Sequence, residues 1–453
     1  MKKLLLGALA VTIASCTNTE PVDYALFSGT IQNPNSKKLT IRNSSNKNIR
    51  TITVSDTGVF ADTIFNTDGY ASFSDGKENS ALYLKNGDNI TLNMDAKEFD
   101  ETIIYTGTGN EVNNFLAQKF LIKEKSGTAK DLYSLDEAAY FVKMNAQKAA
   151  LEKGLEGLDA DFSKSEKTNI NYEHISHVSS FEMAHKYYSK NKDFKVSETF
   201  PDLTKDLKYD NEEHFKSSAA YKGIVMANFF KVVRKESKEK EISIAEAAIT
   251  YIKSSKSELM NNAFLATISR DVSGRNLKAE ELYNNIMALS TDDDFKKRLT
   301  KQFENVKKLA KGKVSPVFVN YENNAGGKTS LSDLKGKYVY IDVWATWCGP
   351  CKVQIPFLQK VEKKYHGKNI EFVSLSIDVA ADHGKWKQMI KDKNLGGIQL
   401  MADSDWKSKF VADYGINGIP RFILVDPAGN IVSSDAPRPS DKKLIDLFNE
   451  LKI

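Results

Sequence analysis

Cysteine is scarce in this chain, with three among 453 residues. So small a number excludes a scaffold held together by disulfides and a cysteine-rich metal cluster. Glycine (25) and proline (10) are also few, which excludes long low-complexity linkers. The net charge of +5 arises from 64 basic and 59 acidic side chains, a balance that gives no reason to expect a nucleic-acid partner. With 41% hydrophobic and 27% charged residues, the chain is predicted to be globular, with two or three packed domains.

The first cysteine follows a short apolar segment at the start of the chain. Lys2 and Lys3 form a positively charged n-region, and the 11 residues from Leu4 to Ala14 form an apolar h-region. That segment is too short to span a bilayer. It ends in Ser15-Cys16, which resembles the lipobox of bacterial lipoproteins.

The lipobox resemblance implies a membrane anchor. Residues 1–15 would be a signal peptide, Cys16 would be the lipidation site, and residues 16–23 would be a linker. A triacylated cysteine would hold the protein on a membrane essentially irreversibly. Thr17 and Asn18 do not match the inner-membrane retention signal of lipoproteins, which favours a periplasm-facing position at the outer membrane. The alternative is an ordinary cleaved secretory peptide with an incidental cysteine.

Two regimes of composition precede the part of the chain that carries chemistry. Residues 24–108 show short alternating runs separated by turn residues, which predicts an antiparallel β-sandwich domain. Residues 109–310 carry apolar residues three and four apart and have one proline, Pro201, which predicts an all-α domain. Residues 135–158, 217–233 and 242–268 show this spacing, as amphipathic helices do.

Three histidines in the helical region have spacing that raises the question of a metal. His174, His177 and His185 are expected on one stripe of a helix. A strong zinc signature adds a cysteine or a second motif at fixed spacing, and none is present. The interpretation is therefore three histidines in helix contacts, and no metal or other cofactor is predicted.

The other two cysteines lie between a predicted strand and a predicted helix. The run from Tyr338 to Trp344 has the β-branched and aromatic content of a buried strand, and helical spacing follows from Val353 to Tyr365. A helix N-terminus stabilises a thiolate, so Cys348 is predicted to be the nucleophile. Cys351, one turn further on, is placed to resolve the mixed disulfide. A zinc half-site is the alternative, but it lacks two further ligands.

These residues carry a resemblance to a family. The Trp347-Cys348-Gly349-Pro350-Cys351 motif and the segment that ends in Ile419-Pro420 resemble the TlpA/ResA-like thiol-disulfide oxidoreductases. The resemblance covers residues 311–453 and implies an α/β thioredoxin fold. It also implies that Pro420 is cis, and that Trp347, Gly349, Pro350, Ile419 and Pro420 contact the substrate.

An aspartate on the predicted strand is the candidate proton acceptor. Asp342 lies six residues before Cys348, where thioredoxins carry a buried acid, and its apolar neighbours predict burial. A buried carboxylate has a raised pKa and accepts the proton of the resolving cysteine. TlpA-like proteins commonly have a glutamate where this chain has Gln354, so the acid is expected on the strand instead of the helix. The alternative is an aspartate exposed at the end of the strand.

Together these features predict a membrane-anchored enzyme of the cell envelope. It would reduce or isomerise disulfides of exported proteins and would receive electrons from a membrane thiol reductase. One alternative is a scaffold or adhesion lipoprotein with an auxiliary redox domain, because residues 24–310 have no evident redox role. A peroxiredoxin is a further alternative, but it needs a Pro-x-x-x-Thr-x-x-Cys motif, and no proline precedes Cys348 at that spacing.

Overall fold

The computed structural model describes residues 22–44, 46–65, 67–274, 276 and 278–453. The chain divides into two compact units, one that ends at Val225 and one that comprises Met226–Ile453. The predicted signal peptide and Cys16 lie outside the described residues. Across the described ranges, no helix is both long enough and apolar enough to cross a membrane. The division into domains at residues 108 and 310 stays a prediction.

The first part of the described chain is built from strands whose side chains alternate between buried and exposed. Two four-stranded sheets have the strand orders β4-β1-β7-β8 and β3-β2-β5-β6. Buried side chains of both sheets, such as Phe27 and Phe73, belong to one apolar cluster. The elements are β1 Tyr24–Gln32, β2 Lys38–Asn43, β3 Asn48–Thr53, β4 Val59–Phe65, β5 Asp68–Ser74, β6 Asn79–Lys85, β7 Asn89–Asp95, α1 Phe99–Thr102 and β8 Ile104–Thr108.

Helices follow as far as Lys308, and several begin where a side-chain oxygen caps the first turn. Asp136, Asp159 and Asp292 each accept a backbone N–H in this way. The segment 242–268 is two helices instead of one, because Ser257 caps a new helix. The helices are α2 Asn110–Lys125, α3 Ala129–Tyr133, α4 Glu137–Lys153, α5 Ala160–Ser179, α6 Phe181–Tyr188, α7 Glu212–Ser217, α8 Ala219–Lys240, α9 Ile244–Ser254, α10 Glu258–Ile268, α11 Ala279–Leu289 and α12 Asp293–Lys308.

The prediction that three histidines share one helical stripe is wrong. His174 and His177 lie on α5, but that helix ends at Ser179 and His185 lies on α6. The Tyr133 hydroxyl lies 3.1 Å from His177 Nδ1, whereas the His185 ring packs on Phe194 with a centroid distance of 4.1 Å. Among the described residues, no group of three or more His, Cys, Asp or Glu side chains is arranged to hold a metal ion.

A seven-stranded mixed sheet organises the C-terminal part of the second unit. Its order is β10-β9-β13-β12-β11-β14-β15, so β11 lies inside the sheet, parallel to β12 and antiparallel to β14. The strand predicted over 338–344 is β11. The elements are β9 Tyr321–Asn323, β10 Lys328–Thr329, β11 Tyr338–Trp344, α13 Gly349–Tyr365, β12 Ile370–Ser376, α14 His383–Asp392, β13 Ile398–Met401, α15 Lys409–Asp413, β14 Arg421–Val425, β15 Ile431–Ser433 and α16 Lys442–Glu450.

Helices cover both faces of this sheet, which is why the side chains of β11 are apolar on both faces apart from Asp342. On one face, Leu358 of α13 and Phe448 of α16 pack on Tyr340 in a shared cluster. On the other face, a second cluster contains Trp386 of α14 and Phe410 of α15. Leu309, directly after α12, belongs to that second cluster as well, so the end of the helical region is packed onto the sheet domain.

Candidate active site

The two cysteines lie where β11 passes into α13. Cys348 is the N-cap of the helix, with an extended backbone at φ −78° and ψ 102°. Its sulfur accepts a hydrogen bond from the Cys351 backbone N–H at 3.1 Å. Cys348 and Cys351 are joined in a disulfide in this structure. The predicted nucleophile and the predicted resolving cysteine are therefore covalently bonded to each other.

The position of Cys348 favours a thiolate over a thiol. The unpaired amides and the positive dipole end of α13 point at its sulfur, and the Cys351 N–H is already directed there. Cys351 lies inside the first turn, so its own sulfur has no such amide cap. The first-turn position of Pro350 fits this geometry, because no amide donor is needed there. Attack on a substrate disulfide by Cys348 follows from this asymmetry.

Exposed residues surround the buried disulfide. Trp347 is 53% exposed, whereas Cys348 is 4% exposed. Gly349 and Pro350 are also exposed. A Cβ on Gly349 would meet no atom within 4 Å, so this glycine is not required by packing. The lack of a side chain at Gly349 leaves the approach to the Cys348 sulfur open.

The register of the sheet brings the predicted cis-proline loop to the same edge. The Ile419–Pro420 peptide bond is cis, as the resemblance implied. β14 begins at Arg421, which pairs with Val343 near the end of β11. The loop before β14 and the Trp347–Cys348 loop after β11 are therefore neighbours. Ile419 is half-buried, which leaves part of this residue accessible to a substrate.

Asp342 is buried on the face of β11 that α13 covers. It pairs with Ser374 of β12, and it lines a cavity of about 10 Å³ together with Ile355, which is one helical turn beyond Cys351. Its Oδ1 is buried and has no hydrogen-bond partner among the described residues. Burial, and secondarily the charge of Glu362, raise the pKa of Asp342 to about 8. The predicted burial is confirmed, and the exposed alternative is excluded.

Glu362 is a half-buried acid that sequence reasoning did not identify. It lies on α13 and lines the same cavity as Asp342. Burial raises the pKa of Glu362 to about 7. Gln354, at the position where the family commonly has glutamate, is buried and accepts a hydrogen bond from the Ser440 N–H at 3.2 Å. The helix therefore does supply an acid near Asp342, two turns further along than the family pattern suggested.

Replacing Asp342 with asparagine is expected to slow resolution of the mixed disulfide about tenfold or more between pH 7 and pH 8, because the group predicted to accept the Cys351 proton is removed. In the unmodified protein, the rate should rise as pH approaches about 8, where the Asp342 carboxylate accumulates. Stopped-flow measurement of leaving-thiol release against pH would test this. Unchanged rates in the variant would contradict the assignment.

The same variant has a second readout in the stability of the oxidised protein. Because the pKa of Asp342 is raised on folding, the unfolded chain loses that proton near pH 4 and the folded chain near pH 8. The free energy of unfolding should therefore decrease as pH rises from about 4 to about 8, by a few kcal/mol in order of magnitude. In Asp342→Asn, this decrease with pH should be smaller. Glu362, the other titratable group in the described cavity lining, is tested in parallel by Glu362→Gln.

Asp378 holds the cysteine loop and was also missed by sequence reasoning. It lies just after β12 and is buried. Its carboxylate accepts the Thr346 backbone N–H at 2.9 Å, the Thr346 hydroxyl at 2.7 Å and the Ser376 hydroxyl at 2.7 Å. Thr346 is two residues before Cys348, so Asp378 is a positioning residue for the nucleophile. A polar residue directly after a buried parallel strand was the available signal, because the carboxyl ends of β11 and β12 share one edge.

A groove of about 550 Å³ adjoins the site. It is lined by Thr346 and Trp347 and by polar residues of α14, and Trp406 lies 6.4 Å from Trp347 between ring centroids. α14 lies between β12 and β13, in the segment that follows Asp378.

This arrangement defines a class of protein: an α/β domain with a redox-active cysteine pair at a helix N-terminus, opposite a cis-proline loop. Residues 310–447 match the Redoxin family model. The thiol-disulfide oxidoreductase ResA of Bacillus thuringiensis is 31% identical over 131 residues, which cover 29% of this chain and 72% of the relative. ResA of Bacillus subtilis is 26% identical over 152 residues, which cover 33% of this chain and 80% of the relative.

Among solved structures, the thioredoxin domain of a thiol-disulfide oxidoreductase from Bacteroides vulgatus is similar. It is 30% identical with a TM-score of 0.29, and the match covers 32% of this chain and 98% of that chain. The match to ResA of Bacillus thuringiensis shows that the chain belongs to the ResA-like family and is a thioredoxin-like disulfide oxidoreductase. Together with the Redoxin match, it confirms the predicted C-terminal thioredoxin fold.

Proposed function

We propose that Cys348 and Cys351 form the catalytic dithiol of a membrane-anchored enzyme that reduces or isomerises disulfides in exported proteins. The observation that carries this proposal is the hydrogen bond from the Cys351 N–H to the Cys348 sulfur at the N-terminus of α13. It supports Cys348 as the thiolate, with Cys351 one turn away to resolve the product.

The reaction consists of two successive thiol-disulfide exchanges. The Cys348 thiolate attacks one sulfur of the substrate disulfide, the substrate S–S bond breaks, and the other sulfur leaves as a thiolate that takes up a proton. Cys351 then loses its proton to Asp342 and attacks the Cys348 sulfur. The Cys348–Cys351 bond forms while the mixed disulfide breaks, the second substrate sulfur leaves as a thiolate that takes up a proton, and two electrons have passed to the substrate. In isomerisation, a substrate thiolate instead attacks the substrate sulfur of the mixed disulfide. A new substrate disulfide forms, the bond to Cys348 breaks, and the Cys348 thiolate is regenerated with no net transfer of electrons.

A reducing enzyme outside the cytoplasm needs a source of electrons. A dithiol protein of the membrane thiol reductase class would reduce the Cys348–Cys351 disulfide by the reverse exchange. The Gly349-Pro350 dipeptide resembles that of reducing thioredoxins, whose potential is about −270 mV, against about −120 mV for strongly oxidising members. We therefore place the enzyme on the reductive side of disulfide exchange.

Substrate binding is assigned to the exposed rim of the site. Trp347 offers a large apolar surface beside the disulfide, and the backbone of Ile419 is placed to pair with an extended segment of the substrate. Pro420 shapes that loop, and Gly349 and Pro350 lie beneath the incoming chain. The membrane anchor rests on Cys16 and residues 1–15, whereas Thr17 and Asn18 favour the outer membrane, with the enzyme facing the periplasm.

A Cys351→Ser variant of the full chain tests the proposal in cells that export it. Without the resolving thiol, the mixed disulfide between Cys348 and the substrate should persist, and exported proteins should be recovered from it on reduction. The matched control is the Cys348→Ser, Cys351→Ser double variant, which has no nucleophile. Equal recovery of partners from both variants would contradict the enzyme and favour the scaffold alternative, because such binding would not need a thiol.

A further inference from the structure

A cavity of about 770 Å³ adjoins the cis-proline loop within the second unit. The residues of that loop from Gly415 to Gly418, other than Ile416, line one part of it, and α12 lines another. Asn305 of α12 approaches the loop: its Nδ2 is 3.8 Å from the point where a Cβ on Gly415 would lie. We name this cavity the loop cleft. It lies apart from the groove beside Trp347, whose described lining residues it does not share.

The described lining of the loop cleft is strongly cationic. Arg298 and Lys301 are three residues apart on α12, so they occupy one face of that helix, and Arg270 contributes a third cation. All three are exposed, and none makes an ion pair with a described residue. Arg421 and Asp435 complete the charged groups and pair with each other at 2.8 Å.

An unsatisfied donor adds to this cationic character. Nε of Arg421 is buried and donates to no group among the described residues. The neighbouring cavity, of about 800 Å³, shares Arg270 and Arg421 but has as many carboxylates as cations in its described lining. Of these two cavities, only the loop cleft has more cations than carboxylates in its described lining.

The loop cleft adjoins the residue to which substrate pairing is assigned. Gly418 lines the cleft and directly precedes Ile419, the residue assigned to backbone pairing with the substrate. A strand bound at Ile419 would extend about 3.3 Å per residue, so residues a few positions from the substrate cysteine would reach the cleft. In strand addition, main-chain bonds provide affinity and flanking side chains provide specificity.

We propose that the loop cleft binds acidic side chains of the polypeptide substrate, so that the enzyme prefers disulfides flanked by aspartate or glutamate. This inference rests on the proposed function, because it assumes that a disulfide-containing chain lies along the loop. Arg270, Arg298 and Lys301, which are exposed, would supply the charge. Carboxylates are the matching groups because guanidinium and ammonium groups are positively charged and only donate hydrogen bonds.

Synthetic peptide disulfides of equal length test this preference. Each carries three glutamate, three glutamine or three lysine residues on either side of the cysteine, and the rate of exchange with the reduced full chain is measured. We expect the glutamate peptide to react about three- to tenfold faster than the glutamine peptide, which is the scale of two or three exposed ion pairs. The difference should shrink as ionic strength rises from about 0.1 M to about 1 M, because the Debye length falls from about 10 Å to about 3 Å.

An Arg298→Ala, Lys301→Ala double variant locates the effect. The matched control is Lys297→Ala, Lys308→Ala, which removes two exposed cations of α12 that do not line the cleft. The first variant should lose the preference and the control should keep it, while both react with the glutamine peptide at the unmodified rate. A preference that survives the first variant, or equal rates for all peptides, would overturn this inference and leave the proposed function standing. Failure to exchange with any peptide would instead overturn the proposed function.

Discussion

Replacing Cys348 with serine is expected to lower the rate of disulfide exchange by at least about a thousandfold. A serine hydroxyl at the N-terminus of α13 stays protonated at neutral pH, whereas the cysteine sulfur there is stabilised as a thiolate by the Cys351 N–H. The measurement is the rate at which the reduced full chain releases thiol from a peptide disulfide in a single turnover.

Cys351→Ser is the matched control for this prediction, because it removes the other sulfur of the same disulfide. The first attack should continue in that variant, and the reaction should stop at one equivalent of mixed disulfide. The two effects separate the roles of the sulfur atoms. A Cys351→Ser protein with no first attack, beside a Cys348→Ser protein that retains it, would show that the two roles are reversed.

Asp378→Ala is expected to lower the free energy of unfolding by about 2–4 kcal/mol, the range for removing the buried partner of several hydrogen bonds. The Thr346 N–H is left with no acceptor, and the hydroxyls of Thr346 and Ser376 lose theirs. Chemical denaturation of the oxidised protein, followed by fluorescence, measures this change.

The same variant should slow exchange about ten- to a hundredfold, because the loop that carries Cys348 loses its fixed position and small displacements of a nucleophile are costly. Asp378→Asn keeps one acceptor oxygen, so its exchange rate should lie between that of Asp378→Ala and that of the unmodified chain. Asp413→Ala, at an exposed aspartate paired with Lys409, is the control and should change stability by less than about 1 kcal/mol. If the Asp378→Ala protein is as stable as the unmodified chain and exchanges disulfides as fast, the hydrogen bonds of Asp378 do not position the nucleophile.

Local sequence patterns predicted much of the C-terminal domain and the reactive pair. The run 338–344 is apolar apart from Asp342 because both faces of β11 are covered, and its composition alone indicated a buried strand. Burial of Asp342 followed from its apolar neighbours. Helix ends were harder to predict, since a break such as that between α9 and α10 depends on which serine oxygen accepts a backbone N–H.

Three features of the site were missed from the sequence because they join residues that are distant along the chain. Asp378 meets Thr346 across 32 positions, through two parallel strands that end at one edge. Glu362 acts on Asp342 only because α13 folds back over β11. The loop cleft combines α12 with a loop more than a hundred residues later.

The sequence by itself determined the reaction class, because a cysteine pair at a strand–helix junction needs only local geometry to become reactive. It also determined the element that carries the pair and the acid that precedes it by six residues. Only the tertiary structure decided which groups surround the pair: the register that sets Pro420 beside Cys348, the carboxylate that holds their loop, and the cations beside the substrate track. Those contacts depend on how strands and helices pack, and no short segment encodes that packing alone.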